Sequence, residues 1–198
     1  MNELIRRFKF KITVVGDGGV GKTSLIQKFT NDSFKMEYKK TIGAQFSLYD
    51  KEMEGDIIKL LFWDIAGQDA FNFLRPAFFR DSRAAISVYS LEENELGEDS
   101  FEHIQNWFED IYSYCGEIPV VVFANKIDLV DERKLDKSKI TELIKKKKFL
   151  GFFITSAKTG QGVIEAFNTI IDDLHLKYIR PLKMKDLYPL NESKDKPV

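Results

Sequence analysis

Residues 16–23 decide the fold class and read Gly16-Asp17-Gly18-Gly19-Val20-Gly21-Lys22-Thr23. They match the pattern G-x-x-x-x-G-K-[ST], in which glycines let the backbone wrap a phosphate chain with its N–H groups pointing inward. The stretch follows an apolar run at residues 12–15 and opens a segment of helical periodicity. A helix that begins here also directs the positive end of its dipole at the phosphates. We therefore expect a nucleoside triphosphate as the ligand, and an unliganded glycine-rich turn fits this setting less well.

We call residues 16–23 the phosphate loop. Within it, Lys22 is expected to reach the β and γ phosphates, and Thr23 offers a hydroxyl to Mg²⁺. The residues expected to line the phosphates are Gly18, Gly19, Val20, Gly21, Lys22, Thr23 and Ser24.

Apolar runs alternate with helix-period segments along the chain, which predicts an α/β fold. The runs that predict strands lie at residues 12–15, 44–51, 57–63, 84–89, 120–124 and 152–155. The segments that predict helices lie at residues 22–29, 100–114, 137–147 and 163–178. Because only a short turn joins the second and third runs, we expect them to form an antiparallel hairpin at one edge. The sequence predicts a P-loop NTPase fold, with a six-stranded, mostly parallel sheet flanked by about five helices.

The bulk composition limits the number of domains and the kinds of partner. The 198 residues suffice for one buried core, so we predict a domain at residues 1–180 and a polar, flexible tail at residues 181–198. Thirty basic and 31 acidic residues leave a net charge of −1, which argues against nucleic acid or an anionic membrane as a partner. Cys115 is the only cysteine, which excludes an internal disulfide and favours a reducing, cytoplasmic location.

Two short motifs follow the fifth and sixth predicted strands, at the edge where α/β sheets bind ligands. They are Asn125-Lys126-Ile127-Asp128, which we call the base loop, and Ser156-Ala157-Lys158. The Asp128 carboxylate can accept two hydrogen bonds from N1–H and the 2-amino group of guanine, whereas adenine offers neither donor. Leaving Asp128 unpaired would penalise ATP. The first motif alone could be a helix-capping loop, but its position behind a phosphate loop favours a guanine pocket.

With these motifs the sequence resembles the Ras superfamily of small GTPases over most of its length. The resemblance implies that Asn125 braces the base loop and that the stem of Lys126 lies over the purine. It also implies that the Ala157 N–H meets the guanine carbonyl, with Ser156 and Lys158 beside it. The implied cofactors are GTP or GDP and Mg²⁺.

Residues 34–43 resemble the first switch loop of that family. The resemblance implies that Phe34 packs against guanine, although it could be an ordinary half-buried aromatic, and that Tyr38 closes over the phosphates. It also implies that Thr41 binds Mg²⁺ through its hydroxyl and the γ-phosphate through its N–H. Loss of that phosphate then releases the loop.

Residues 63–68 resemble the second switch. There Asp64 is implied to hold Mg²⁺ through water, the Gly67 N–H to meet the γ-phosphate, and Gln68 to orient the attacking water. The residues implied in the reaction are Gln68, Lys22, Thr41 and Gly67. Those implied to hold the metal are Thr23, Thr41 and Asp64.

Tyr38 stands where the large G-protein α subunits carry a catalytic arginine, so hydrolysis by this chain alone is expected to be slow. An arginine from a GTPase-activating protein is implied. The resemblance therefore implies a monomeric GTP-binding molecular switch that hydrolyses GTP to GDP and phosphate. It also implies protein effectors and an exchange factor as partners.

The stretches Thr41-Ile42-Gly43 and Phe78-Phe79-Arg80 and the residue Trp63 look most like the Rab branch, which implies regulation of membrane traffic or signalling. In that branch the positions of Phe46, Trp63 and Phe78 form an aromatic effector patch, although simple packing at a sheet edge stays an alternative. The tail has no cysteine and residue 2 is asparagine, so no lipid-anchor site is visible. We expect any membrane association to be indirect.

Two other classes of function stay open. A scaffold that holds GTP permanently is disfavoured by Thr41, Gly67 and Gln68, and a phosphotransferase does not need the base loop or the switches. The acidic stretch at residues 91–99 is predicted to be a solvated surface loop, with partner docking as the alternative. His103 and His175 fall on predicted helices and are assigned no chemistry.

Overall fold

The computed structural model describes residues 5–30, 40–41, 43–66 and 75–182, with only the backbone of residues 40 and 41. Its strands are β1 Arg7–Val15, β2 Lys40–Thr41, β3 Ala44–Met53, β4 Asp56–Ile65, β5 Ala84–Ser90, β6 Val120–Asn125 and β7 Gly151–Ile154. They form one sheet in the order β2-β3-β4-β1-β5-β6-β7. The five strands β4, β1, β5, β6 and β7 run parallel to one another. The predicted hairpin is the antiparallel pair β3 and β4, and the two-residue β2 extends its outer edge. The predicted α/β fold with six main strands is confirmed.

Helices lie on both faces of this sheet. Within the described residues they are α1 Lys22–Thr30, α2 Arg75–Phe79, α3 Glu95–Glu102, α4 Ile104–Cys115, α5 Ser138–Lys147 and α6 Val163–Leu174. A π-helical turn, His175–Ile179, continues α6, and the helical backbone extends to residue 182. Residues 183–198 lie outside the described residues, so the flexible tail stays a prediction. No helix of the described part is long and apolar enough to cross a membrane.

The core has two halves, one on each face of the sheet. On the first face, Phe29 of α1 stacks on Phe167 of α6 with ring centroids 4.3 Å apart, and both contact Phe62 of β4. On the second face, Ile104 and Trp107 of α4 belong to another buried apolar cluster. The central strands β5 and β6 are buried along their whole length, as is typical of parallel strands covered on both faces. Because helices cover both faces of the sheet, a ligand is expected to bind at the loops that follow the carboxyl ends of the strands.

The acidic stretch at residues 91–99 is helical from Glu95 onward, so the prediction of a solvated loop is wrong for that part. Asn94 caps α3 by accepting a hydrogen bond from the Gly97 N–H at 3.1 Å. The first turn of the helix is acidic, which suits the positive end of the helix dipole. The acidic residues therefore begin a helix that packs on the end of β5.

Candidate functional site

The phosphate loop connects β1 to α1, as predicted, and two of its glycines have no room for a side chain. Gly16 has φ +137°, and a Cβ atom there would overlap the carbonyl oxygen of Val88. Gly21 has φ +99°, and a Cβ atom would overlap the side-chain amide of Asn125. Positive φ and close approach both require glycine. The loop is thus packed tightly against β5 on one side and the base loop on the other.

Lys22 points into the phosphate loop from the first turn of α1. Its Nζ donates hydrogen bonds to the backbone carbonyls of Gly16 and Asp17, both at 2.8 Å. The residue is only 7% exposed, and burial lowers the pKa of Lys22 while the carboxylates of Asp64 and Asp17 act to raise it. The ammonium group is therefore held at the centre of the loop, where a phosphate chain enclosed by the backbone N–H groups would meet it.

Thr23 and Asp64, two of the three residues predicted to hold the metal, contact each other. The Thr23 hydroxyl donates a hydrogen bond to Oδ2 of Asp64, which lies at the carboxyl end of β4. Burial raises the pKa of Asp64, whereas this hydrogen bond and the charge of Lys22 lower it. A hydroxyl and one carboxylate are the oxygen donors that Mg²⁺ combines with phosphate oxygens and waters. The residues present therefore fit Mg²⁺, which when bound supplies positive charge against the β and γ phosphates.

The third predicted metal residue, Thr41, lies in β2, where its backbone pairs with Ala44. The structure describes only the backbone of Thr41. Phe34, Tyr38, Gly67 and Gln68 also lie outside the described residues. Their roles toward the nucleotide therefore stay predictions from the resemblance.

Asn125 joins the base loop to the phosphate loop and to the loop after β7. Its buried side chain donates to the carbonyl of Val20 at 2.8 Å and accepts from the Ala157 N–H at 3.1 Å. The Thr155 hydroxyl lies 3.4 Å from the same amide oxygen. One side chain thus connects the parts of the chain that are predicted to hold the phosphates and the base.

Asp128 is oriented by the loop after β7. Its Oδ1 accepts a hydrogen bond from the Ser156 hydroxyl at 2.6 Å, and its Oδ2 lies 3.8 Å from Nζ of Lys158. Carboxylate oxygens carry further lone pairs, so these contacts leave acceptor capacity for guanine. Lys126 precedes this turn with φ +71°, and its Nζ contacts the Glu92 carboxylate. Sequence reasoning missed Glu92.

A second contact missed from the sequence lies behind the phosphate loop. Asp17 Oδ2 lies 2.6 Å from Nδ1 of His103, and Asp17 Oδ1 accepts a hydrogen bond from Trp107 Nε1 at 2.9 Å. The Arg75 guanidinium stacks over the Trp107 ring at 4.3 Å and also pairs with Asp110 at 2.7 Å. The assignment of no chemistry to His103 therefore overlooked its contact with the phosphate loop.

The three aromatic residues predicted to form an effector patch are neighbours in the structure. The Trp63 ring lies 6.0 Å from the Phe46 ring and 6.0 Å from the Phe78 ring, measured between centroids. Nζ of Lys11 sits 4.0 Å from the centre of the Trp63 ring. Because Trp63 precedes Asp64 in β4, this patch adjoins the candidate metal site along the strand.

The fold and this site define a P-loop nucleotide-binding protein whose base loop carries Asp128, a carboxylate with acceptor capacity that suits guanine. Comparison with known proteins agrees, because the model of the Ras family matches residues 11–176. The chain belongs to the Ras family, and its relatives place it in the Rab branch. It is a small GTPase that binds GTP or GDP with Mg²⁺, hydrolyses GTP and works with effectors, activating proteins and exchange factors.

Several Rab proteins are similar to most of the chain. Ras-related protein Rab-13 of Mesocricetus auratus is 39% identical over 169 residues, which cover 85% of this chain and 81% of that protein. Ras-related protein Rab-18-B of Danio rerio is 34% identical over 83% of this chain and 78% of its own length. Ras-related protein Rab-8B of Homo sapiens is 34% identical over 90% of this chain and 84% of its own length.

Proposed function

We propose that this GTPase regulates membrane traffic or signalling in the manner of a Rab protein, by recruiting effectors in its GTP form. The observation that carries the proposal is the position of the aromatic patch, with Trp63 directly before Asp64 in β4. Successive side chains of a strand point to opposite faces. We propose that a change at the metal site reaches the effector patch through this short stretch of backbone.

The same proposal assigns roles to the site residues. Lys22 and the phosphate loop bind the β and γ phosphates, and Asp128 reads guanine through its two acceptor bonds. Gln68 orients the attacking water, and an arginine from an activating protein neutralises the charge that develops during transfer. Two sets of hydrogen bonds support these roles, because they hold Lys22 against the backbone of the phosphate loop and hold Asp128 against Ser156.

We further propose that the chain acts as a monomer in the cytoplasm. The single cysteine supports a reducing compartment, and the near-zero net charge fits docking through a local patch better than docking through the overall field of the protein.

Nucleotide-dependent capture tests the proposed effector role. The protein is immobilised after loading with GDP or with a non-hydrolysable GTP analogue, and the proteins retained from cell extract are compared. We expect a set of proteins retained only by the GTP-analogue form and lost in Trp63→Ala. Tyr112→Ala is the matched control, since Tyr112 is an exposed aromatic on α4 whose ring neighbours Phe108 and which is not one of the three patch residues. Identical retention by both nucleotide forms would contradict a switch.

Hydrolysis separates the switch from a permanent GTP-binding scaffold. We expect chromatography of the bound nucleotide to show GTP converted to GDP during overnight incubation of the purified, GTP-loaded protein. GTP that remains intact, also after an activating protein is added, would instead support the scaffold.

A further inference from the structure

Lys126 of the base loop is held by an acidic residue from a different part of the chain. Its Nζ donates a hydrogen bond to Oε2 of Glu92, which lies in the turn between β5 and α3. The two side chains are 22% and 23% exposed, so both are partly buried. A pair in this environment is screened less by salt than one on the open surface.

The backbone around Glu92 is fixed by close packing. A Cβ atom at Gly97 would overlap the Glu92 carbonyl oxygen, so α3 lies directly against this turn. The Ser90 N–H donates to the Ser100 hydroxyl at 3.0 Å, which ties the end of β5 to the same helix. The Ser90 hydroxyl in turn donates to Oε2 of Glu92 at 2.9 Å. Glu92 is therefore presented to Lys126 from a rigid support.

The Glu92 carboxylate and the Lys126 ammonium group carry opposite charges. The hydrogen bond from Lys126 and that from Ser90 hold the pKa of Glu92 below its usual value, so the carboxylate stays ionised at neutral pH. An ammonium group has three donors, so pairing with one carboxylate leaves Lys126 able to contact a nucleotide as well. The free side chain of a lysine has many rotamers, and a fixed partner reduces the number that nucleotide binding must exclude.

We infer that Glu92 is a positioning residue of the nucleotide site, which holds Lys126 in place across the base pocket and thereby slows nucleotide release. The inference rests on the proposed role of Lys126 in the base pocket. Glu92 is not proposed to contact the nucleotide itself. The opposite effect, in which Glu92 draws Lys126 away from the nucleotide, predicts that removal of the carboxylate slows release.

The rate of nucleotide release distinguishes a Glu92 that holds Lys126 in place from a Glu92 that draws Lys126 away from the nucleotide. The protein is loaded with a fluorescent GDP analogue in Mg²⁺ and chased with excess unlabelled GDP. We expect Glu92→Gln to release the analogue about three- to tenfold faster than wild type. Glu92→Ser, which is too short to reach Lys126, is expected to behave in the same way. Glu93→Gln is the matched control, because Glu93 is an exposed neighbour, and its release rate is expected to stay within about twofold of wild type.

A double-mutant cycle tests whether the effect passes through Lys126. Lys126→Met keeps an apolar stem and removes the ammonium group, and we expect it to accelerate release by itself. In that background Glu92→Gln is expected to add no more than about a twofold change. Full acceleration by Glu92→Gln without the ammonium group would show that Glu92 acts through the fold, and the inference would be wrong.

The remaining outcomes distinguish this inference from the proposed function. If Lys126→Met leaves release unchanged, the base-pocket role of Lys126 fails and the inference fails with it. If Lys126→Met accelerates release but Glu92→Gln matches wild type, only the inference is overturned. Slower release from Glu92→Gln also overturns it, because the carboxylate then competes with the nucleotide.

Discussion

Asp17 connects the phosphate loop to α4 through both oxygens of its carboxylate. One oxygen contacts His103 and the other accepts the indole N–H of Trp107. The backbone carbonyl of the same residue accepts a hydrogen bond from Lys22. His103 is therefore in contact, through Asp17, with the loop that is expected to hold the phosphates.

This contact predicts a pH-dependent contribution to stability. The hydrogen bond to Asp17 raises the pKa of His103, and the carboxylates of Asp99 and Glu102 add to the effect, while partial burial opposes it. A group whose pKa is higher in the folded than in the unfolded protein stabilises the fold most when it is protonated. For a histidine, the contribution is complete below the unfolded pKa of about 6.5 and is lost as the pH rises through the folded pKa. We expect the stability lost in His103→Gln to be larger at about pH 6 than at about pH 9.

Urea unfolding of both proteins in saturating GDP, at the two pH values, measures this difference. The wild type alone is not sufficient, because many other groups titrate over the same range. If His103→Gln costs the same free energy of unfolding at both pH values, the protonated form of His103 does not contribute through Asp17.

Guanine selectivity is predicted to depend on Asp128. Asp128→Asn replaces one acceptor oxygen by a donor, which mismatches guanine and matches the carbonyl of xanthine. We expect GDP affinity to fall by at least about a hundredfold and xanthosine diphosphate to bind more tightly than GDP. Competition against a fluorescent nucleotide measures both. Asp131→Asn serves as the control, because Asp131 pairs only with the neighbouring Arg133 among the contacts described for it, and unchanged selectivity in Asp128→Asn would refute the assignment.

At the scale of elements, the sequence pattern was sufficient to locate a strand or helix whose apolar side is buried along its whole length. It was insufficient for β1, which begins at Arg7 although apolar periodicity predicted residue 12. Residues 7–11 pair with β4 alone, because β5 pairs with β1 only from Ile12. With one neighbouring strand, that half of β1 tolerates charged side chains and does not form a continuous apolar run.

The start of α3 was missed for a different reason. Its cap, Asn94, and its acidic first turn are local helix signals, but their charge resembles that of a solvated loop. The position of α3 is decided by Gly97, which allows the helix to lie against the turn after β5. That contact depends on the three-dimensional fold and cannot be inferred from charge or periodicity.

Replacing Gly97 by alanine tests this packing. The new methyl group would overlap the Glu92 carbonyl, so we expect the free energy of unfolding to fall by about 1–3 kcal/mol. Gly151→Ala is the matched control, since its Cβ would make only an ordinary contact with Phe153 at 3.7 Å. Chemical denaturation measures the free energy of unfolding of both variants and of the wild type. Equal stability of Gly97→Ala and wild type would mean that α3 does not pack closely on this turn.

At the scale of the whole molecule, the site consists of local motifs joined by distant contacts. The motifs of the phosphate and base loops are contiguous, so the guanine nucleotide that they bind was predictable from sequence. Trp107 and Asp17 are 90 residues apart, and Lys126 and Glu92 are 34 residues apart, so no local pattern connects them. These distant contacts join α4 to the phosphate loop and the turn after β5 to the base loop, and through them the fold orients the site.

Hydrolysis of GTP resets the switch as a whole. Gln68 lies outside the described residues, and its assigned role is to align the attacking water while a partner arginine stabilises the developing charge. Because this role concerns the transition state, we expect Gln68→Leu to change GTP affinity by less than about threefold. We expect the hydrolysis rate in the presence of an activating protein to fall by more than about a hundredfold.

The stimulated rate is the sensitive measurement, since hydrolysis without a partner is already slow. Phosphate release from GTP-loaded protein is followed with and without the activating protein, and GTP affinity is measured in parallel as the control for binding. A Gln68→Leu protein that an activating protein accelerates as strongly as wild type would show that another group orients the water. We would then expect that group to come from the activating protein.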